Sequence, residues 1–296
     1  MFRKKLLTLS AVTAAAALSL TACSPSAQQG GGEGSGSASA GGSQSAGSGE
    51  GLRIGIKFDQ PGLGFREGSG APTGFDTDVA RYVADKLGVA EGDIEWVQTP
   101  SANRENALEN GEVDMIFATY SITDARKERV DFAGPYFVAG QDLLVRADDT
   151  EITGPDALDG KNLCSVTGST SAQKIKDQFA SGVNLVEQGG YAECVTYLES
   201  GQVDAVTTDD IILAGLAATD ANKGKFKVVG NTFTTERYGV GIAKGDDRCE
   251  DINDAIKEMK DSGAWKESLD ANTEGTGYEY DEALNSGADA EFESCS

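Results

Sequence analysis

From Leu52 onward, short runs rich in β-branched residues alternate with amphipathic stretches, a pattern that predicts an α/β chain. Leu52-Arg-Ile-Gly-Ile56 predicts a strand. Asp76 to Leu87 sets Val79, Val83 and Leu87 on one helical face and stops at Gly88, and Ile94 to Val97 predicts a second strand. One heptapeptide recurs: Leu108-Glu-Asn-Gly-Glu-Val-Asp114 returns as Leu198-Glu-Ser-Gly-Gln-Val-Asp204, 90 positions on, each copy at a helix end with a glycine terminator before an apolar strand. Each copy also follows a strand and helix of its own, Ile54 and Asp76 to Leu87 in the first case, Leu163 to Val166 and Ser171 to Phe179 in the second. The chain therefore predicts two α/β lobes of one local plan. Five residues past Asp114 and Asp204 stand Thr119 and Asp209, which fall at carboxyl ends of strands if both strands end there. Open α/β sheets place ligands at those ends, and two facing lobes bring them to one cleft.

The first 50 residues follow a different pattern. Arg3, Lys4 and Lys5 precede an uncharged apolar run from Leu6 to Leu20, short for a membrane span and proportioned for a signal peptide over residues 1–22. Leu20-Thr-Ala-Cys23 resembles the lipobox of bacterial lipoproteins, which implies cleavage before Cys23 and lipid on its thiol and new amino terminus. Several acyl chains hold a protein on a membrane where one does not, each buried methylene contributing about 0.8 kcal/mol. Residues 24–50 hold nine Gly, eight Ser and four Ala among 27, with nothing able to bury a core. Such a tether, running to residue 51, reaches about 30 Å. The expected location is the extracellular face of the cytoplasmic membrane, lipid-anchored.

Composition narrows the function. At 296 residues the chain suits about two units of roughly 100 to 150 residues. With 25 Lys+Arg against 48 Asp+Glu its formal charge is −23, or −26 once three basic residues leave with the signal peptide, a charge that repels nucleic acid. The absence of histidine excludes Ser-His-Asp and Cys-His hydrolase chemistry and His-containing zinc sites. Neither a metal nor a cofactor is expected.

Several segments, in order, resemble the polar amino-acid-binding proteins of ABC importers, a bacterial solute-binding family. They are Gly74-Phe75-Asp76, Leu108 to Asp114, Ser121-Ile-Thr-Asp-Ala-Arg126 through Val130-Asp-Phe-Ala-Gly-Pro-Tyr136, Thr167-Gly168-Ser169-Thr170, and Val203 to Asp209. The resemblance covers residues 52–270. It implies a type II periplasmic-binding-protein fold, two α/β lobes joined by two hinge strands around a ligand cleft, with lobe 1 from residues 52–144 and 236–296 and lobe 2 from 145–235. It also implies a monomer that closes on one ligand and presents it to a membrane permease.

The same resemblance assigns residues. Arg126, in the first turn of a helix that Thr123 can cap, matches the arginine that holds the ligand's α-carboxylate, with help from Thr119 and Ser121. Asp209 matches the carboxylate that receives the α-ammonium group, although either it or Asp210 could cap the following helix. Thr167, Ser169 and Thr170 match the loop that completes the carboxylate shell. At the end of the first strand, where binders of Gln, His, Lys and Arg carry Asp, this chain has Lys57. That lysine and Arg104 suit an acidic ligand, glutamate favoured over aspartate, with glutamine or another polar amino acid as the alternative. The family's aromatic platform has no clear counterpart: Gln60 falls near its position, and Phe58, Tyr120 and Phe65 are all candidates.

Apart from Cys23, four cysteines remain in an exported chain, for which three pairings are possible. Cys164–Cys194 within lobe 2 together with Cys249–Cys295, which would pin the C-terminal tail to lobe 1, is favoured over the other two arrangements and over a thiolate metal site, which lacks C-x-x-C spacing. A dehydratase-like enzyme or a receptor sensor module on the same fold are the rival functions. The first would depend on carboxylates or Lys57 for acid–base work.

Overall fold

The computed structural model describes residues 51–178, 182–287 and 290–295; the expected signal peptide, Cys23, the tether up to Glu50, and Phe179 lie outside the described residues. All described residues belong to one compact unit, Ala46–Ser296.

The first lobe is built from β1 (Leu52–Ile56), the short hairpin strands β2 (Asp59–Gln60) and β3 (Gly64–Phe65), α1 (Phe75–Lys86), β4 (Ile94–Gln98), α2 (Arg104–Glu109), β5 (Met115–Phe117), α3 (Asp124–Lys127) and β6 (Asp131–Ala139). The second comprises β7 (Gln141–Arg146), β8 (Asn162–Val166), α4 (Thr170–Gln178), β9 (Asn184–Gln188), α5 (Tyr191–Glu199), β10 (Ala205–Asp209), α6 (Asp210–Ala218) and β11 (Phe226–Val228). The chain then returns to the first lobe as β12 (Glu236–Ile242), α7 (Cys249–Asp261), α8 (Ala264–Thr273) and α9 (Glu282–Ser286).

The strands form two five-stranded sheets, ordered β4-β1-β5-β12-β6 and β9-β8-β10-β7-β11. In the first, β1 runs parallel to β4 and β5, and β12 antiparallel to β5 and β6; in the second, β8 runs parallel to β9 and β10, and β7 antiparallel to β10 and β11. The two sheets thus share one topology. The chain crosses between the lobes twice, from β6 to β7 and from β11 to β12.

The repeated heptapeptide has a structural job in each lobe. Asp114 accepts the Arg53 N–H at 2.8 Å and donates its own N–H to the Arg53 carbonyl at 2.8 Å, tying β5 to the start of β1. Asp204 does the same for β10 and β8, accepting the Asn162 N–H at 2.8 Å and donating to the Asn162 carbonyl at 2.7 Å. Gly111 and Gly201 take φ 63° and 74°, left-handed conformations that end a helix at least cost in glycine.

The boundary expected after residue 144 falls earlier. β7 already pairs in the second sheet from Gln141, so the chain changes lobes at Gly140. A Cβ on Gly140 would lie 2.7 Å from that of Thr232, so the two crossing segments touch there. In the sequence, Gly140-Gln141-Asp142 separates the apolar stretches of β6 and β7 and stands at the change of sheet, but burial is continuous across it, so the polar residues there read equally well as part of one strand. The two disulfides are Cys164–Cys194 and Cys249–Cys295, with Cα separations of 5.5 and 5.7 Å. Among the described residues no helix is long and apolar enough to cross a membrane.

Candidate functional site

Between the lobes, at the carboxyl ends of β5 and β10, lies a small cavity of about 10 Å³. It is lined by Ser101, Arg104, Thr119 and Arg126 from the first lobe, and from the second by Ser169 to Ser171, Tyr191, Thr208, Asp209 and Ile212.

Arg126 is positioned from several sides. Thr123 caps α3 by accepting the Arg126 N–H at 3.3 Å, which sets the side chain's origin at the start of the helix. The guanidinium donates to the Ser121 carbonyl at 2.7 Å and, across the cleft, to the Gly168 carbonyl at 3.1 Å. Its Nε is 3.2 Å from a Glu105 carboxylate oxygen. Arg126 and Arg104 both stack on the Tyr120 ring, at 4.8 and 4.9 Å from its centroid, and Tyr120 donates its hydroxyl proton to Glu105 at 2.8 Å. Burial, and then the neighbouring Arg104 charge, pull the Arg126 pKa down. Such a pair of buried cations gains from an anion between them. Arg104 itself donates to the Ser101 hydroxyl at 3.2 Å, while its buried Nε has no hydrogen-bond partner among the described residues.

Thr119 follows β5 with φ 47°, a left-handed conformation that a β-branched residue rarely takes. The buried Asp76 carboxylate over-determines it, accepting the Thr119 N–H at 2.8 Å and the Tyr136 hydroxyl at 2.8 Å. Desolvation pushes the Asp76 carboxyl up to about 6, against those two hydrogen bonds. The Thr119 hydroxyl meets the Gln60 amide at 3.1 Å.

On the facing lobe, Asp209 ends β10. Its Oδ2 accepts from the Tyr238 hydroxyl at 2.5 Å, whereas the buried Oδ1 has no partner among the described residues. Burial, reinforced by nearby Glu236, holds its carboxyl well above the usual carboxylate range. A cationic partner would reverse that. Helix capping does not occupy Asp209: Asp210 accepts the Ile211 N–H at 2.7 Å, and the Asp209 side chain makes no cap bond.

Of the residues singled out in sequence, Arg104, Thr119, Arg126, Ser169, Thr170 and Asp209 line the cavity. Ser121 stands just outside, joining the lobes through a 3.3 Å hydroxyl contact with Thr170. Thr167 is exposed and does not line the cavity. Lys57 is buried, but its ammonium lies 3.3 Å from Asp59 and it is absent from the cavity wall. Burial lowers its pKa. The aromatic in the wall is none of Phe58, Phe65 and Tyr120 but Tyr191, opening α5 after Gly189-Gly190. Ser101, Ser171, Thr208 and Ile212 were also missed. Only the position of Tyr191 after a strand and two glycines could have flagged it.

Two lobes of matched topology, crossed twice and facing a polar cavity, define a type II periplasmic-binding architecture. The model of bacterial extracellular solute-binding proteins, family 3, matches residues 52–275, and the chain belongs to that family. It is 49% identical over 232 residues to the glutamate-binding protein GluB of Corynebacterium efficiens, covering 75% of this chain and 78% of that one. It is 41% identical over 194 residues to a glutamine-binding protein of Geobacillus stearothermophilus, covering 65% and 72%. Among solved structures, an ancestral arginine-binding protein bound to glutamine superposes with a TM-score of 0.69 at 36% identity, covering 74% of this chain and 96% of that one. The GluR0 ligand-binding core of Nostoc punctiforme in complex with L-glutamate gives 0.65 at 25% identity, covering 74% and 98%. The family's members are extracellular solute-binding proteins, and this chain is a binding protein, not an enzyme.

Proposed function

We propose that this protein is the extracellular, lipid-anchored glutamate-binding component of an ABC importer, capturing its ligand by lobe closure and delivering it to the permease. The observation that carries the reading is the charge set of one small cavity. Two guanidinium groups, Arg104 and Arg126, line it with one carboxylate, Asp209, and Glu105 pairs with Arg126 at 3.2 Å from behind the wall. Glutamate, with two carboxylates and one ammonium, is the complement: Arg126 takes the α-carboxylate, the free Asp209 Oδ1 the ammonium, and Arg104 the distal carboxylate. The glutamate-binding relatives support glutamate as the ligand. A few charge-assisted hydrogen bonds at about 1.5 to 3 kcal/mol each suffice for micromolar affinity, about 8 kcal/mol.

Lys57 cannot add to that charge unassisted, because Asp59 already pairs it. The acid-versus-amide distinction therefore falls to Arg104, and glutamine is the competing ligand, as in the glutamine-binding relatives. Calorimetry with L-glutamate, L-aspartate and L-glutamine tests it. The unmodified protein should bind glutamate most tightly, and Arg104→Gln should lower glutamate affinity at least about tenfold while leaving glutamine within about threefold. Equal losses for both ligands would refute the assignment of the distal carboxylate.

A further inference from the structure

Beside the cavity the lobes make a direct contact, and Lys57 is part of it. Asp59, on β2 of the first lobe, has one carboxylate oxygen 3.3 Å from the Lys57 ammonium. Its other oxygen accepts the N–H of Tyr191, the first residue of α5 in the second lobe, at 3.0 Å. α5 has nine residues, and a carboxylate at its start meets both an otherwise unpaired N–H and the positive end of the helix dipole.

Gly190 shows that this contact shapes the sequence around it. Its φ of −146° is extended backbone open to any residue, so conformation does not call for glycine. A Cβ there would lie 2.6 Å from Asp59 Oδ2 and 3.5 Å from its Cγ, with no other heavy atom within 4 Å apart from its chain neighbours. Among the described residues, what a Cβ at 190 would meet is Asp59 of the opposite lobe. The same holds within α6, where a Cβ on Gly215 would fall 2.2 Å from the Pro61 carbonyl oxygen of the first lobe. These two glycines of the second lobe clear the ground on which the β2 hairpin lands.

The contact also reaches the cavity. Tyr191 lines the wall, as do Thr208 and Ser169, and the Lys57 ammonium stands 5.7 Å from its ring centroid.

We propose that Lys57 and Asp59 form an interlobe latch. Lys57 holds the Asp59 carboxylate in place, Asp59 caps α5 across the closed cleft, and the cap seats the Tyr191 ring against the ligand. Asp59 is thus a positioning residue that acts through Tyr191 without touching ligand. The latch rests on the cavity being the binding site but not on which amino acid fills it.

The experiment measures ligand association and dissociation by stopped flow, with L-glutamate as the probe, for the unmodified protein, Asp59→Ala and Gly190→Ala. Both variants should raise koff about tenfold and leave kon within about twofold, since the latch forms only in the closed state. Amide exchange at Tyr191 should accelerate in both ligand-saturated variants; the ligand-free melting temperature of Gly190→Ala should stay as in the unmodified protein, whereas that of Asp59→Ala should fall because the buried Lys57 loses its partner. The variants lie in opposite lobes, so a folding defect in one leaves the other to decide. Unchanged koff in the folded variants, or unchanged Tyr191 exchange, overturns the latch. If the unmodified protein gives no heat with glutamate, the glutamate reading alone is rejected. The same koff comparison, made with whichever amino acid of the calorimetric panel binds, then decides the latch.

Discussion

At the scale of single residues, Asp76 does for the first lobe's site what no residue in the cavity could do for itself. Thr119 is held at a left-handed φ of 47° because its N–H is bonded to a carboxylate that has no water to turn to. Burial of that carboxylate has a consequence for pH. Its pKa is raised, from 3.8 to about 6, so the folded state binds its proton more tightly than the unfolded chain does. The stabilising contribution is therefore fully present below about pH 4 and lost as pH rises through about 6. Asp210, also raised to about 6 by burial, behaves alike, so a variant is needed to isolate one group. Thermal melts of the unmodified protein and of Asp76→Asn at pH 5 and pH 7 should differ: the unmodified protein loses melting temperature over that interval by more than the variant does. Parallel profiles would show that Asp76 does not titrate there. The sequence made Asp76 visible as the start of a helix and as part of a Gly-Phe-Asp motif, not as the partner of Thr119. Its partner Thr119 lies 43 positions away, and no local pattern reports a carboxylate folded beneath a strand end.

At the scale of elements, the heptapeptide repeat was fully legible, because it encodes local geometry: a helix end, a left-handed glycine, and an aspartate at the start of a strand. The C-terminal tail was less so. It lies beyond residue 275, where the family match ends, and it is bound to the first lobe by side chains standing in for a strand. Asn285 accepts the Val138 N–H and donates to the Val138 carbonyl, both at 2.9 Å, covering the free edge of β6. Glu293 pairs with Lys127 at 3.2 Å and Arg237 at 2.6 Å, and donates its N–H to the Gly134 carbonyl at 2.7 Å. Cys249–Cys295 then closes a 46-residue separation. By chain entropy such a loop contributes about 4 kcal/mol. Replacing both cysteines by serine should lower the melting temperature by roughly 8 to 16 °C, at about 2–4 °C per kcal/mol for a fold of this size. A scan of the non-reduced proteins showing no difference would mean that the side-chain contacts alone secure the tail.

At the scale of the whole molecule, the net charge of −23 and an anionic ligand coexist because charge counts by distance. Exposed carboxylates beyond about 8 Å are screened at physiological salt, while two guanidinium groups in the cavity wall are not. The proposed anchor belongs to this scale too: a lipid on Cys23 and a Gly/Ser tether would keep the two lobes within reach of a permease. Cys23→Ser should release the protein into the medium and abolish labelling by radioactive palmitate. Continued labelling of that variant would place the lipid elsewhere or remove it from the account.

The sequence by itself determined the elements, the doubled lobe plan, and a short roll of charged candidates, because helix and strand periods, glycine terminators and cleavage signals act over neighbouring residues. Tertiary structure decided which of those charges meet. It paired Lys57 with Asp59 beside the cavity, left Thr167 exposed, put Tyr191 in the wall where the family pattern called for an aromatic elsewhere, and set the change of sheet at Gly140. Burial strips a charge of water, and the partner that replaces it is whichever group the fold brings within a few ångströms. The Tyr191 N–H that completes the Asp59 carboxylate comes from 132 positions along the chain, a distance at which sequence pattern carries no information.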